Sequence, residues 1–316
     1  MKQLTVLLLA LIISNLANAT DTWPRVNSRN TSVDIADISS SGQSKDGKPA
    51  INNPQFIATK DATNIKPSEP VISLRINQDI RAYPLRVLMW HGIVNDVVDN
   101  TPVAITYDPL TNTSIVFDRR LDGKTLEFSN TGKLYNSNMI MYDKETESWW
   151  QQYTGKSIAG QLNGKALEIL PSRVESLALF YDKYPEAKVL VPNDPSSYSY
   201  GINPYIGYDT YFPLMYKGKY NKELPRMEYL VVVGNQAWPL ELLKKKEVIQ
   251  KDNLQISIKP YQNSALNSNE ISLGRDLGNV IVQRKTENGD LVEVPYLVTF
   301  AFAFHAFQPD GVVNSN

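Results

Sequence analysis

His91 is one of only two histidines in this 316-residue chain, and it stands in a segment dense with polar groups: Asn95, Asp96, Asp108, Asp118, Arg119 and Arg120. A neutral imidazole can act as a general base near neutral pH or as a metal ligand. With Asp108 or Asp96 it would make a nitrogen and oxygen donor set that admits a divalent metal such as zinc, manganese or iron. Arg119 could grip an anionic group bidentately. Asn136 in L-Y-N-S, and Trp150 in E-S-W-W-Q-Q, could line the same pocket with an amide and an aromatic face. His91, Asp108, Asn95, Asp96, Arg119, Asn136 and Trp150 are therefore the candidate site, with His91 and Asp108 as its catalytic or metal-binding centre.

Each candidate has a plainer use. His91 can cap a helix end or bond a buried carbonyl, and Asp108 can accept the backbone N–H two residues on in an Asx turn. Arg119 and Arg120 fall on opposite faces of a strand, where an ion pair is the ordinary outcome. On a strand, one of Trp149 and Trp150 must face the core. No H-E-x-x-H, H-x-H, P-loop, dinucleotide fingerprint or nucleophile elbow is present to name a reaction.

The elements that must position these groups read as strands. VISLRI, VAITY, TSIVFD, LEFSN and NMIMYD are short β-rich runs, with Asp122-Gly123 and Asn163-Gly164 as hairpin turns. Pro84 to Trp90 and Val174 to Tyr184 read as helices. The fold class is α+β, predominantly antiparallel β with a few short helices. Ala82-Tyr83-Pro84-Leu85-Arg86-Val87-Leu88 returns as Ala237-Trp238-Pro239-Leu240-Glu241-Leu242-Leu243, which suggests a degenerate internal duplication. The pseudo-repeats would cover about 51–195 and 225–316, joined by a loop carrying Tyr198, Tyr200, Tyr205, Tyr208, Tyr211, Tyr216 and Tyr220. Such tyrosines can stack flat ligands or contact a partner, but among glycines and prolines they more often cover a sheet.

Residues 1–19 read as a bacterial signal peptide: Lys2, an apolar Leu4 to Ile13, and Ala17-Asn18-Ala19 as the cleavage site. The apolar run is shorter than the ~20 residues that cross a bilayer, so no membrane span is expected after cleavage near Ala19. Residues 20–50 read as an extended polar arm and 51–316 as one β-rich domain, periplasmic or secreted. Cysteine is absent, which removes disulfides, thiolate chemistry and Cys-ligated metals. With 32 basic against 33 acidic residues there is no footprint for nucleic acid.

Several long motifs, D-G-K-P-A-I at 46–51, N-P-Q-F at 53–56, R-A-Y-P-L-R-x-L-x-W-H-x-I-V-N-D at 81–96, V-F-D-R-R-L-D-G at 116–123, L-Y-N-S at 134–137 and F-A-F-H-A-F-Q-P-D at 302–310, carry a resemblance. By these the chain resembles the bacterial exported and membrane-associated domain-of-unknown-function 3179 family, over nearly its whole mature length. The resemblance implies no reaction. It also implies a Cys-Pro-Leu-Cys motif where this chain has Asp108-Pro109-Leu110-Thr111, and a histidine where it has Gln308, with His305 three residues earlier. Soft-metal or redox chemistry through such a Cys pair would be lost here. The expectation is a protein that binds a small ligand or metal ion around His91 without turnover. An enzyme built on His91 with Asp108 or Asp96, and an interaction module using residues 198–220, remain the alternatives. The protein partner and any cofactor are unspecified.

Overall fold

The computed structural model describes Trp23 and residues 30–315, so the expected signal peptide and the start of the arm lie outside the described residues. Strand makes up 41% and helix 14%, so sheets carry the architecture, and five of them stand in a ring like that of a five-bladed β-propeller. Such a ring buries the faces of small sheets against one another and leaves only short edges.

The first sheet has the order Arg173–Ser176, Pro70–Ile76, Asp79–Pro84, Lys188–Val191, Gln55–Ala58. The second runs Ile169–Leu170, Thr113–Asp118, Thr101–Asp108, Ile93–Val98. The third runs Ile38–Ser40, Phe128–Tyr135, Asn138–Asp143, Trp149–Gln151, Lys156–Ala159. The fourth is Leu297–Phe300, Tyr229–Val233, Gln236–Pro239, Val312–Val313, and the fifth Val248–Lys251, Leu254–Lys259, Asn279–Lys285, Leu291–Glu293. Pairing within these sheets is antiparallel except that Lys188–Val191 runs parallel to Asp79–Pro84 and Val312–Val313 parallel to Gln236–Pro239. Asp122 and Gly123 turn a separate two-stranded ribbon, both with positive φ (48° and 77°) as the Asp-Gly hairpin requires.

Four seven-residue helices, α1 (Leu85–His91), α2 (Leu177–Lys183), α3 (Leu240–Lys246) and α4 (Ala301–Phe307), each leave the end of a strand. In α1 and α3 a proline sits at the N-cap, where its missing N–H costs nothing. The second expected helix begins at Leu177, because Ser176 caps it by accepting the Leu179 N–H, and Val174 belongs to the strand before. Residues of the expected arm are ordered into the ring, with Ile38–Ser40 paired along Phe128–Tyr135, and just beyond the arm Ile51 bridges Val94. The largest core cluster draws on all parts of the chain, from Ile51 through Tyr107 and Val231 to Phe302.

Candidate functional site

Asp108 closes the strand Thr101–Asp108, and Pro109 to Asn112 turn the chain back into Thr113–Asp118. Its Oδ1 accepts the Leu110 N–H at 2.7 Å, the Asx turn that Asp before Pro favours. Its Oδ2 accepts the Met139 N–H from the neighbouring sheet. The side chain is 3% exposed, and burial raises its carboxyl to about 6, against the pull of the Met139, Leu110 and Thr111 amides and the Lys48 charge.

Asp108 lines a cavity of about 200 Å³ whose walls include Lys48, Tyr107, Leu110, Met139, Tyr205 and Leu214. Lys48 comes from the polar arm. Burial lowers its ammonium to about 8, an effect the Asp108 charge partly offsets. Among the described residues the ammonium has no hydrogen-bond acceptor and no contact ion pair. The tyrosine-rich segment covers this end of the ring: Tyr208 donates its hydroxyl to the Leu110 carbonyl at 2.9 Å, and Ser137 donates to the Leu214 carbonyl. Tyr200, Tyr205, Tyr208, Tyr216 and Tyr220 pack on the main core, and Tyr198 stacks on Trp90. Ile206, Tyr211, Phe212 and Met215 face solvent.

His91 does not line that cavity. Its Nδ1 lies 2.8 Å from the Pro49 carbonyl, so that nitrogen carries the proton, and its Nε2 accepts the Tyr200 hydroxyl at 2.8 Å. Burial holds its pKa below the ordinary histidine value, keeping the ring neutral. Both nitrogens are thus committed, and the imidazole works as a clamp on the segment that carries Lys48. Asn130 completes the clamp, donating to the Lys48 carbonyl at 2.7 Å and to the His91 carbonyl at 3.1 Å.

The remaining candidates are not brought to the cavity. Asp96 accepts both its oxygens' bonds from Arg81 at 2.8 Å and a third from the Tyr83 hydroxyl at 2.6 Å. Asn95 exchanges bonds with the Phe128 backbone and joins two sheets. Arg119 spreads its guanidinium over the carbonyls of Val103, Leu126 and Asp96, at 3.1, 2.7 and 3.1 Å. Arg120, on the other face, pairs with Asp118. Asn136 takes positive φ (50°) in the hairpin between Phe128–Tyr135 and Asn138–Asp143. Trp150 is sealed in the core, donating to Asp143 at 2.8 Å, while Trp149 packs in a different cluster on the opposite face. Among the described residues no three His, Asp or Glu side chains cluster as a metal would need.

Thr111 turns away from the cavity into a fully buried network: Asn138 donates to it at 2.7 Å, Thr113 donates to Gln152 at 2.8 Å, and Gln152 donates to Thr106 at 2.9 Å. His305, on α4, sits against Tyr220 and Phe304, and burial lowers its pKa. The functional group that the polar pattern did not single out is Lys48, although it lies within D-G-K-P-A-I.

That segment opens the region matched by the profile of a family described as "Protein of unknown function (DUF3179)", which extends over residues 45–311. The chain belongs to the DUF3179 family. No curated protein and no solved structure matches it. In this DUF3179 member Asp108 is a turn-forming carboxylate and Thr111 a buried hydroxyl, and the two face different surroundings.

Proposed function

We propose that this DUF3179 protein binds a small organic ligand, without turnover, in the cavity beside Asp108. One observation carries the reading: apolar and aromatic walls converge there with two ionisable groups, the half-buried Lys48 and the buried Asp108, drawn from segments far apart in the chain. Pockets for drug-sized molecules run to ~300–1,000 Å³, so a cavity of about 200 Å³ suits a compact ligand. Thermal unfolding against a fragment library tests this. Some fragments should raise Tm, and Leu214→Trp, which fills the space, should remove those shifts. Fragments that stabilise Leu214→Trp equally, or a library with no hits, would sink the proposal.

The signal-like N-terminus supports export to the periplasm, with the mature chain starting at Thr20; N-terminal sequencing of protein from fractionated cells decides it. The shared order of strands and helices in 70–118 and 229–285 supports a degenerate duplication. In aligned DUF3179 sequences the two Pro-Leu helix starts should then fall in register, half against half, and scrambled registers would end that reading. The exposed Ile206, Tyr211, Phe212 and Met215 favour a second reading, a protein partner at the tyrosine-rich segment. Cross-linking in periplasmic extract should give an adduct that Tyr211→Ser with Phe212→Ser abolishes; an unchanged adduct pattern rejects it.

A further inference from the structure

The charges at the Asp108 cavity are unequally provided for. Both carboxylate oxygens of Asp108 already accept backbone N–H groups, from Leu110 and from Met139, so its negative charge is met by fixed dipoles. The Lys48 ammonium has no such complement among the described residues. It reaches toward Gly92 and Asn130, where a side chain at residue 92 would lie 3.5 Å from Nζ, and it borders the same cavity. The side chain is only partly buried, so the ammonium can meet a molecule in the cavity, and an anion that brings its own oxygens would pair it there. Ser41, Gln43 and Asn130 add polar groups on the arm side, and the remaining wall is mainly apolar or aromatic, with Tyr107, Leu110, Leu134, Met139, Tyr205 and Leu214.

We infer that the ligand is a compact apolar monocarboxylate, with its anionic head on the Lys48 ammonium and its hydrocarbon body against Leu110, Met139 and Tyr205. This rests on the cavity being a binding site, as proposed above. Neither a neutral apolar molecule nor an amine would relieve the unpaired ammonium, and an amine would add a further positive charge beside it. A dianion would meet the Asp108 carboxylate. The groups facing Lys48 give the binding a pH signature. Asp108, pushed up to about 6, sheds its repelling charge when protonated, while Lys48, pushed down to about 8, loses its attracting charge when deprotonated. His91 is neutral and its nitrogens are occupied, so it adds no step in this range.

Calorimetric titration of the full mature chain with octanoate, octanamide and octylammonium at pH 7 is the test. Octanoate should bind at least about ten-fold more tightly than octanamide, and octylammonium most weakly. Lys48→Met should abolish the octanoate advantage while leaving octanamide binding in place, and Lys48→Arg should keep the advantage. Octanoate affinity should also fall as pH rises through 8. Equal affinities for octanoate and octanamide, preference for octylammonium, an octanoate advantage that survives Lys48→Met, or no octanoate binding would each overturn the inference. Its failure is separable from that of the cavity reading: neutral fragments whose stabilisation is lost in Leu214→Trp would leave the site standing and only its anion preference refuted.

Discussion

Two stretches of the chain run through the same succession of elements and end differently. In the first, Pro70–Ile76, Asp79–Pro84, α1, Ile93–Val98, Thr101–Asp108 and Thr113–Asp118 follow one another; in the second, Tyr229–Val233, Gln236–Pro239, α3, Val248–Lys251, Leu254–Lys259 and Asn279–Lys285 do the same. Both helices start after proline, and both end on a residue with positive φ, Gly92 at 73° and Glu247 at 59°. The divergence lies in the hairpin after the fifth element. In the first stretch it is a tight turn, and Asp108 sits at a cavity mouth. In the second it is the long segment 260–278, whose Ala265, Leu266, Ile271 and Leu277 plug into the main core. The same order of elements thus borders a cavity where its turn is short and fills the core where its turn is long, so the loops rather than the strands make the difference.

The comparison is broken most forcefully at Arg119, just past the first stretch, which ties two of its carbonyls, Asp96 and Val103, to that of Leu126, whereas Arg284, near the end of the matching strand, is exposed. Arg119→Ala should cost about 3–5 kcal/mol by chemical denaturation, since buried carbonyls lose their donors; Arg284→Ala should stay within about 0.5 kcal/mol. Equal costs would remove the asymmetry. Next comes pH. Asp108 moves from 3.8 to about 6, so the folded state holds this proton more tightly than the unfolded chain does. Its contribution to stability is therefore full below about pH 4 and lost as pH rises through about 6, a swing of about 3 kcal/mol. The difference in unfolding free energy between the wild type and Asp108→Asn, measured from pH 4 to 7, should show it, and parallel curves would refute it.

Smaller effects separate the two helix ends. Gly92→Ala forces positive φ on a side chain and places its Cβ 3.4 Å from Lys48 Cε and from Asn130 Oδ1. A loss of about 1–2 kcal/mol is expected, with weaker octanoate binding as Lys48 is displaced. Glu247 takes a similar conformation in solvent, so Glu247→Gly should stabilise by about 0.5–1 kcal/mol without touching binding. Melting curves of the two variants check both signs.

Local features were readable because they are settled by neighbours in the chain. Pro84 announced α1, Asp122-Gly123 a ribbon turn, and Asp108 before Pro109 an Asx turn, each with a mechanism acting over two or three residues. The ring was not readable, because a strand such as Gln55–Ala58 finds its partner in Lys188–Val191 far along the chain, and nothing in its own residues names that partner. The candidate site failed to assemble for a related reason. Polar residues clustered in sequence at 91–120 alternate in direction along strands, so Asp96 went to Arg81, Arg119 to carbonyls and His91 to Pro49. Lys48 was passed over because its surroundings, Ser, Asp and Gly, look like a solvated tail. Only docking against Asn130 and His91 makes it part of a cavity.

That docking implies an order of assembly. Residues 38–51 lie across two sheets whose strands are made later in synthesis, so this segment can settle only after Phe128–Tyr135 exists to receive it. Closing so wide a loop is entropically slow, so the wall bearing Lys48 is put in place after the strands that receive it. Pulsed hydrogen exchange during refolding should find the Ile51 amide protected after those of Phe128–Tyr135. A nascent chain accordingly cannot close this cavity until residues as late as Tyr205 and Leu214 have emerged, which makes the cavity a late product of synthesis.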